Sequence, residues 1–193
     1  MSSYSIHTPE SFRTVPWRNG RGETLALLSR SLPGCDGFAW RLSIAVVDSD
    51  GPFSHFPGCD RTLLLLEGRG ITLKHSTGQI DSLSTRFSAA RFSGDHETIA
   101  TLHDGPIRDF NVICHRKHCV AHVDVPDGNA PRDLLVDADT LLVYATDRSA
   151  RVRTANEAWI EVDQHHLMQY DKPVKGRWSF SQGPAIVMQI CSK

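Results

Sequence analysis

The first residues that could take part in binding or catalysis lie in a polar loop that leads into an apolar segment. Residues 50–61 contain a Gly-Pro and a Pro-Gly turn signal, and Phe53 and Phe56 add apolar side chains to a segment that is otherwise polar. The segment that follows, residues 62–67, contains four consecutive leucines and is therefore apolar on both faces, as in a buried central strand. Asp60 and Arg61 are therefore predicted to lie at the rim of a β-structure, where ligand pockets are common.

Trp17, Arg18 and Asn19 form a second candidate set, because they stand on a predicted tight turn between Pro16 and Gly20. One interpretation is that Trp17 covers the core and Arg18 is solvated. The other is that all three face a ligand, since binding residues collect on loops held by a rigid scaffold.

Residues 38–47 predict the clearest strand of the chain, with strict alternation of bulky and small side chains. The small face carries one cation, Arg41, close to Ser43, and it either meets water or lines a cavity. A later alternating segment, residues 107–113, places Asp109 and Asn111 on one face.

Two clusters of possible metal ligands lack a suitable spacing. Residues 114–119 contain two cysteines and two histidines, the ligand types that Zn²⁺ prefers, but along a strand they would point alternately to opposite faces. His165 and His166 are adjacent and are a poor chelate for the same reason. The sequence also lacks a nucleophile elbow, a phosphate-binding loop and a dinucleotide fingerprint.

Composition narrows the class of protein further. The 193 residues are 40% hydrophobic and 22% charged with a net charge of −1, which is ordinary for a globular domain and predicts neither a nucleic-acid nor a membrane partner. No run of 18 apolar residues and no secretion signal is present. Five scattered cysteines indicate reduced thiols rather than a disulfide framework, so we expect a cytoplasmic location.

More than a dozen short strands, separated by turns, predict an all-β sandwich or barrel. This number exceeds one small barrel, so we expect two β-modules. Residues 1–125 would form the first module and residues 126–193 the second, and N-terminal residues are candidates to add strands to the second.

Several motifs together resemble the HutD/Ves family, small bicupin proteins associated with histidine utilisation and stress response. The matching stretches are residues 15–24, 40–45, 50–54, 56–58, 60–61, 66–70, 92–95, 105–106 and 109–112. Arg21 and the Cys114-His115 pair depart from the usual pattern, and the second half matches only in β-character. The resemblance implies a duplicated double-stranded β-helix, the cupin or jelly-roll barrel.

Many cupins hold a metal ion with histidines and a glutamate, and this chain departs from that pattern. If Gly68 closes the first cupin motif, the glutamate position falls on Arg61. The two histidine positions fall on His55 and Pro57, and the histidine of the second motif falls on Gly105. One imidazole does not hold a metal ion in the usual way and Arg61 repels cations, so we expect no metal and no other cofactor.

A cavity with cations and amides in place of the metal would suit an anionic guest. Guanidinium groups pair with carboxylates through two hydrogen bonds, and the candidates are Arg18, Arg41 and Arg61. Neutral hydrogen bonds would come from Asn19, Ser43, Ser54 and Asn111, and apolar walls from Trp17, Phe53 and Phe56. Asp60 and Asp109 would accept an N–H group or hold the arginines; the alternative is that these carboxylates make purely structural ion pairs with the arginines.

Three functions remain open at this point. The first is a bicupin that binds a small anionic metabolite without metal and regulates histidine utilisation, with an N-formyl- or formimino-glutamate guest suggested by the family resemblance. The second is a metal-independent enzyme in which His55 or an aspartate is the general base on the same compounds. The third is an interaction protein, for which a homodimer paired through sheets is the expected assembly.

Overall fold

The computed structural model describes residues 4–17, 22–32, 37–155, 157–171 and 174–193. Within these ranges the secondary structure consists of nineteen strands and one short 3-10 helix, Pro9–Ser11. The all-β fold class predicted from the many short strands is confirmed. The described residues include no helix of the length and apolar character that crossing a membrane requires.

The N-terminal unit, Phe12–Cys119, is built from two β-sheets. Its strands are β2 (Arg13–Pro16), β3 (Gly22–Ser31), β4 (Phe38–Val47), β5 (Gly51–Pro52), β6 (Cys59–Glu67), β7 (Ile71–His75), β8 (Ile80–Leu83), β9 (Ala89–Ser93), β10 (Thr98–Leu102) and β11 (Ile107–His115). One sheet has the order β2-β3-β4-β11-β6-β9 and the other the order β5-β10-β7-β8.

The C-terminal unit contains Val120–Lys193 together with the N-terminal segment that ends at Ser11, and it also has two sheets. Its strands are β1 (Tyr4–His7), β12 (Cys119–Asp124), β13 (Arg132–Ala138), β14 (Thr140–Ala145), β15 (Ala150–Thr154), β16 (Ile160–Val162), β17 (Leu167–Tyr170), β18 (Val174–Ser181) and β19 (Ala185–Ser192). The sheet orders are β1-β17-β14-β19-β12 and β13-β18-β15-β16.

The division between the units falls earlier than the turn-rich segment around Pro126 at which we placed it. β12 precedes that segment, yet it pairs beside β19 in a sheet of the C-terminal unit. β1 joins the same sheet by pairing with β17. Strand pairing, rather than the position of a turn-rich segment, therefore decides to which unit a strand belongs.

Three central strands of the N-terminal unit place the polar side chains in rows. β11 lies between β4 and β6, and residues opposite each other in such a sheet project from the same face. Ile113 is opposite both Arg41 and Arg61, so these two arginines flank it in one row. In the next row Asn111 lies beside Ser43, and in the third Asp109 lies beside Ala45.

The interiors of the two units differ in content. In the C-terminal unit large apolar side chains fill the space between the sheets, among them Val143, Met168, Trp178 and Phe180. In the N-terminal unit the apolar cluster around Leu63, Leu65 and Phe92 is joined at its border by the partly buried side chains of Trp17 and Phe53. Trp17 and Phe53 also line a cavity.

Candidate functional site

The cavity of the N-terminal unit has a volume of about 560 Å³. One face of β4 and β11 forms its floor, and β2, β3 and the segment after β5 form its walls. Its lining residues are Val15, Pro16, Trp17, Thr24, Arg41, Ser43, Ala45, Val47, Pro52, Phe53, Ser54, Phe56, Arg61, Asp109, Asn111 and Ile113.

Arg61 is a charged side chain buried in the wall of this cavity, with only 6% of its surface exposed. One terminal nitrogen, Nη2, donates to Asn111 Oδ1 at 2.8 Å, and Nη1 donates to the Ser54 carbonyl oxygen at 3.3 Å. Its Nε–H has no hydrogen-bond partner among the described residues. Burial lowers the pKa of Arg61 to about 10, against the opposing effect of Asp109, so the guanidinium is charged at neutral pH.

Three phenylalanine rings surround the Arg61 guanidinium. Its central carbon lies 5.4 Å from the ring centre of Phe53, 5.2 Å from that of Phe56 and 5.0 Å from that of Phe92. A cation over an aromatic face is attracted by the ring's negative face. The three rings hold the guanidinium in place in the cavity wall.

Asp109 is fully buried and is held through Asn111. Its Oδ1 accepts a hydrogen bond from Asn111 Nδ2, and its Oδ2 has no partner in the described structure. Burial raises the pKa of Asp109 to about 7, although nearby Arg61 and the Asn111 hydrogen bond act in the opposite direction. Both protonation states of this carboxyl group are therefore accessible near neutral pH.

Arg41 is the second cation of the lining. It lies on β4, on the other side of Ile113 from Arg61, and since neighbouring strands are spaced about 4.8 Å apart, their Cα atoms are separated by roughly 10 Å. Partial burial lowers the pKa of Arg41. No hydrogen bond or ion pair joins its guanidinium to another of the described residues, so it is available to a guest.

Trp17 closes one side of the cavity and is fixed by two hydrogen bonds. Its indole Nε1 donates to Thr24 Oγ1 at 2.8 Å, and its backbone N–H donates to the Gly22 carbonyl oxygen at 3.0 Å. Gly22 has a φ of +142°, and a Cβ there would lie 2.3 Å from the Val46 carbonyl oxygen and 3.2 Å from the Trp17 ring. The Gly22 backbone thus packs so closely that no side chain fits beneath Trp17.

The rim loop, residues 53–58, is bound to the turn between β9 and β10. Phe56 donates its backbone N–H to the Gly94 carbonyl oxygen at 3.0 Å, and Gly58 donates to Asp95 Oδ1 at 2.6 Å. Phe53 donates to the Thr98 carbonyl oxygen at 2.9 Å. The loop that carries Phe53, Ser54 and Phe56 therefore has a fixed position without a guest.

The structure places most of the predicted site residues together. Nine of the predicted binding or wall residues line the cavity: Trp17, Arg41, Ser43, Phe53, Ser54, Phe56, Arg61, Asp109 and Asn111. Arg18 and Asn19 lie outside the described residues.

Asp60 and His55 do not line the cavity, which corrects two expectations. Asp60 is next to Arg61 on β6 and projects from the opposite face, where its carboxylate is 2.9 Å from Arg116. Arg116 also binds Asp95 at 2.6 Å, so Asp60 belongs to a surface ion cluster. His55 is exposed on the rim loop and is not among the residues that line the cavity.

Sequence reasoning missed the contribution of Phe92 and of the lining residues Thr24, Ala45 and Ile113. Phe92 reaches Arg61 because β9 pairs with β6, with Phe92 opposite Arg61, and such long-range pairing leaves no local signal. Ala45 and Ile113 were detectable, since each is two residues from a predicted site residue on the same strand face. The residue type of Thr24 did not mark it as a site residue, and its role follows from the hydrogen bond that it accepts from Trp17.

A metal ion of the kind that many cupins hold does not fit this donor set. The titratable side chains of the described lining are two guanidiniums and one carboxyl group, with no imidazole. No group of three or more His, Cys, Asp or Glu side chains in the described ranges could hold a metal ion. Residues 114–119 form the end of β11, a turn and the start of β12, and the Cys119 thiol donates to the Ala39 carbonyl oxygen at 3.0 Å.

The fold and cavity define an all-β cupin-type protein, and comparisons with known proteins specify the family. A family model described as HutD matches residues 9–187. An uncharacterised 21.2 kDa protein in the hutC 3′ region of Pseudomonas putida is 35% identical over 155 residues, or 80% of each chain. Protein Ves of Citrobacter koseri is 38% identical over 112 residues, or 58% of each chain. The chain therefore belongs to the HutD family.

Solved structures agree with this assignment. A conserved protein of unknown function from Pseudomonas aeruginosa PAO1 has a TM-score of 0.87 and 31% identity, covering 99% of this chain and 100% of that one. HutD from Pseudomonas fluorescens SBW25 has a TM-score of 0.84 and 27% identity over the same shares. YhhW from Escherichia coli, at 7% identity and a TM-score of 0.63 over 97% of both chains, shows the shared fold alone.

Proposed function

We propose that the N-terminal unit binds a small carboxylate metabolite without a metal ion and that the protein acts in the regulation of histidine utilisation. The observation that carries this proposal is the buried Arg61 guanidinium, which lines the cavity and whose Nε–H has no hydrogen-bond partner in the described parts of the chain. A buried charged donor without a partner is unfavourable, and a carboxylate guest would satisfy it through a charge-assisted hydrogen bond.

The guest class that we propose is a dicarboxylate of the N-formyl- or formimino-glutamate type. Arg41 supplies a second cation roughly two strands away from Arg61, which suits a second carboxylate. The volume of about 560 Å³ lies within the usual range of small-molecule sites. The relative whose name places it in the hutC 3′ region supports a link to histidine breakdown.

Calorimetric titration with N-formyl-L-glutamate tests the proposal directly. Arg61→Met keeps the apolar stem but removes the charge, and Arg41→Gln removes the second cation. We expect Arg61→Met to weaken binding at least about 30-fold and Arg41→Gln about 10-fold, because a hydrogen bond to a charged group is worth roughly 1.5–3 kcal/mol.

Arg69→Gln is the matched control, since Arg69 is an exposed arginine that pairs with Asp104 outside the cavity. Its affinity should equal that of the wild type. Absence of binding by the wild-type protein, or equal binding by wild type and both cavity variants, would refute the proposal.

A metal-independent enzyme is the second candidate, and Asp109 is the observation that favours it. A cavity carboxyl group with a pKa near 7 is suited to general acid–base catalysis. Incubating the protein with N-formyl-L-glutamate and following the formyl proton by NMR decides between the two. Signal loss that disappears in Asp109→Asn would establish the enzyme, and an unchanged spectrum with saturable binding would exclude turnover of this compound.

We also propose a cytoplasmic location and a homodimer without nucleic-acid or membrane partners. The net charge of −1 supports the absence of polyanionic partners. Cys59, Cys114, Cys119 and Cys191 form no disulfide, which is compatible with a reducing compartment. Sedimentation analysis would determine the assembly state.

A further inference from the structure

The charged groups that share the cavity form a small set. Arg61 enters from β6, Arg41 from β4 and Asp109 from β11. The other described walls, from β2, β3 and the segment after β5, contribute no titratable side chain. On the outer face of β11, Arg108 pairs with Glu67 at 2.8 Å.

Asp109 and Arg61 are joined only indirectly. Asn111 accepts from Arg61 through Oδ1 and donates to Asp109 through Nδ2, so the amide separates the two charges. Among the described residues, no direct ion pair holds Asp109 in its ionised form, and none is a hydrogen-bond partner of its Oδ2. The carboxyl group can therefore lose or keep its proton without breaking a contact.

The charge of the described lining depends on that proton. Two guanidiniums and an ionised Asp109 leave a net charge of +1, and a protonated Asp109 leaves +2. A monocarboxylate neutralises the first arrangement and a dicarboxylate neutralises the second. In a buried site an unmatched charge is strongly unfavourable, so the guest's charge selects the state of Asp109.

We propose that Asp109 adapts the charge of the cavity to its guest, so that a dicarboxylate binds together with one proton and a monocarboxylate binds without one. The proton comes from solvent and attaches to a carboxylate oxygen of Asp109. This inference rests on the proposed carboxylate binding and adds its proton linkage.

The titration of the empty cavity agrees with this arrangement. Burial raises the pKa of Asp109 to about 7, so both states are accessible near neutral pH. A bound dianion would raise that pKa further, because like charges disfavour ionisation. Above pH 7 the affinity for a dicarboxylate should therefore fall by up to about tenfold per pH unit, and below pH 7 it should be nearly constant.

Calorimetry in buffers of different ionisation enthalpy counts the protons taken up. At pH 8, N-formyl-L-glutamate should bind with uptake of close to one proton. N-formyl-L-glutamine, in which an amide replaces the side-chain carboxylate with the same shape, should bind with uptake close to zero.

Asp109→Asn should abolish both the proton uptake and the pH dependence for N-formyl-L-glutamate. Binding of the dicarboxylate without proton uptake, or uptake that persists in Asp109→Asn, would overturn the linkage while leaving carboxylate binding intact. No binding of either compound at any pH would instead overturn the proposed function. Comparing proton uptake for the two compounds on the wild-type protein tests the linkage even if the variant does not fold.

Discussion

At the residue scale, Arg61 and Asp109 share an unusual property, because each is buried and each has one polar atom for which the described residues offer no hydrogen-bond partner. The sequence identified both as candidates, from the cupin spacing for Arg61 and from strand alternation for Asp109. It did not reveal that Asn111 stands between them, because this contact depends on the pairing of β11 with β6. The structural ion pair between Arg61 and an aspartate, which we held open as an alternative, is absent from the described contacts of Arg61.

Asp109 should make the stability of the protein depend on pH. Its pKa is about 7 in the folded state and about 3.9 in an unfolded chain, so the folded state binds more protons between these values. Its contribution to the free energy of unfolding therefore falls as pH rises from about 4 to about 7, and is constant above that.

Asp109→Asn removes this contribution. The free energy of unfolding of the variant, relative to that of the wild type, should therefore increase as the pH rises from about 4 to about 7. The gain is at most about 4 kcal/mol, since one pKa unit is worth about 1.4 kcal/mol. Urea unfolding at pH 5 and pH 8 measures it, and Asp104→Asn, at an exposed surface position, is the control. A difference between Asp109→Asn and wild type that is equal at both pH values would contradict the assignment.

At the element scale, the alternation of β4 and β11 is what the sequence predicted best. The small face of β4, with Arg41 and Ser43, indeed lines a cavity rather than a solvated surface. The start of β6 was predicted too late, at residue 62, because Cys59 and Asp60 show no strand pattern and become strand residues only through pairing with His115 and Cys114. Because no strand was predicted at residue 60, the sequence did not show that Asp60 and Arg61 point to opposite faces. Asp60 was therefore assigned to the cavity together with Arg61.

Gly22 is the position at which one methyl group should disturb the wall of the site. In Gly22→Ala the new Cβ meets the Val46 carbonyl oxygen and the Trp17 ring, so β3 or Trp17 must shift. We expect a destabilisation of about 2–4 kcal/mol and an affinity for N-formyl-L-glutamate reduced about tenfold.

Gly78→Ala is the matched control, because Gly78 also has a positive φ, +89°, but a Cβ there meets nothing within 4 Å. It should lose about 1 kcal/mol of stability from backbone strain and retain full affinity. Chemical denaturation and calorimetric titration of both variants separate strain from the loss of the Trp17 contact. Equal affinities in the two variants would show that Trp17 does not contribute to binding.

At the scale of the whole molecule, the two units share a two-sheet architecture but differ in what lies between the sheets. The sequence indicated this duplication from strand number and turn spacing. It did not reveal that the second unit is filled, because filling depends on which faces of distant strands meet around Trp178 and Phe180. The binding residues that we propose all belong to the N-terminal unit.

Truncating one phenylalanine in each unit should separate stability from binding. Phe180→Ala and Phe92→Ala both remove a buried ring and should each cost about 3–5 kcal/mol. Only Phe92→Ala should also weaken the binding of N-formyl-L-glutamate, because Phe92 packs against the Arg61 guanidinium. Thermal unfolding and titration of both variants test this, and an equal loss of affinity in Phe180→Ala would contradict it.

The fixed rim loop has a consequence for the speed of recognition. Backbone hydrogen bonds to Gly94 and Asp95 hold residues 53–58 in place before any guest arrives. A guest therefore meets a rim loop that is already ordered, and closure of this loop is not a separate step between encounter and capture. Association should be a single concentration-dependent phase, and differences in affinity among guests should arise from how long each one stays.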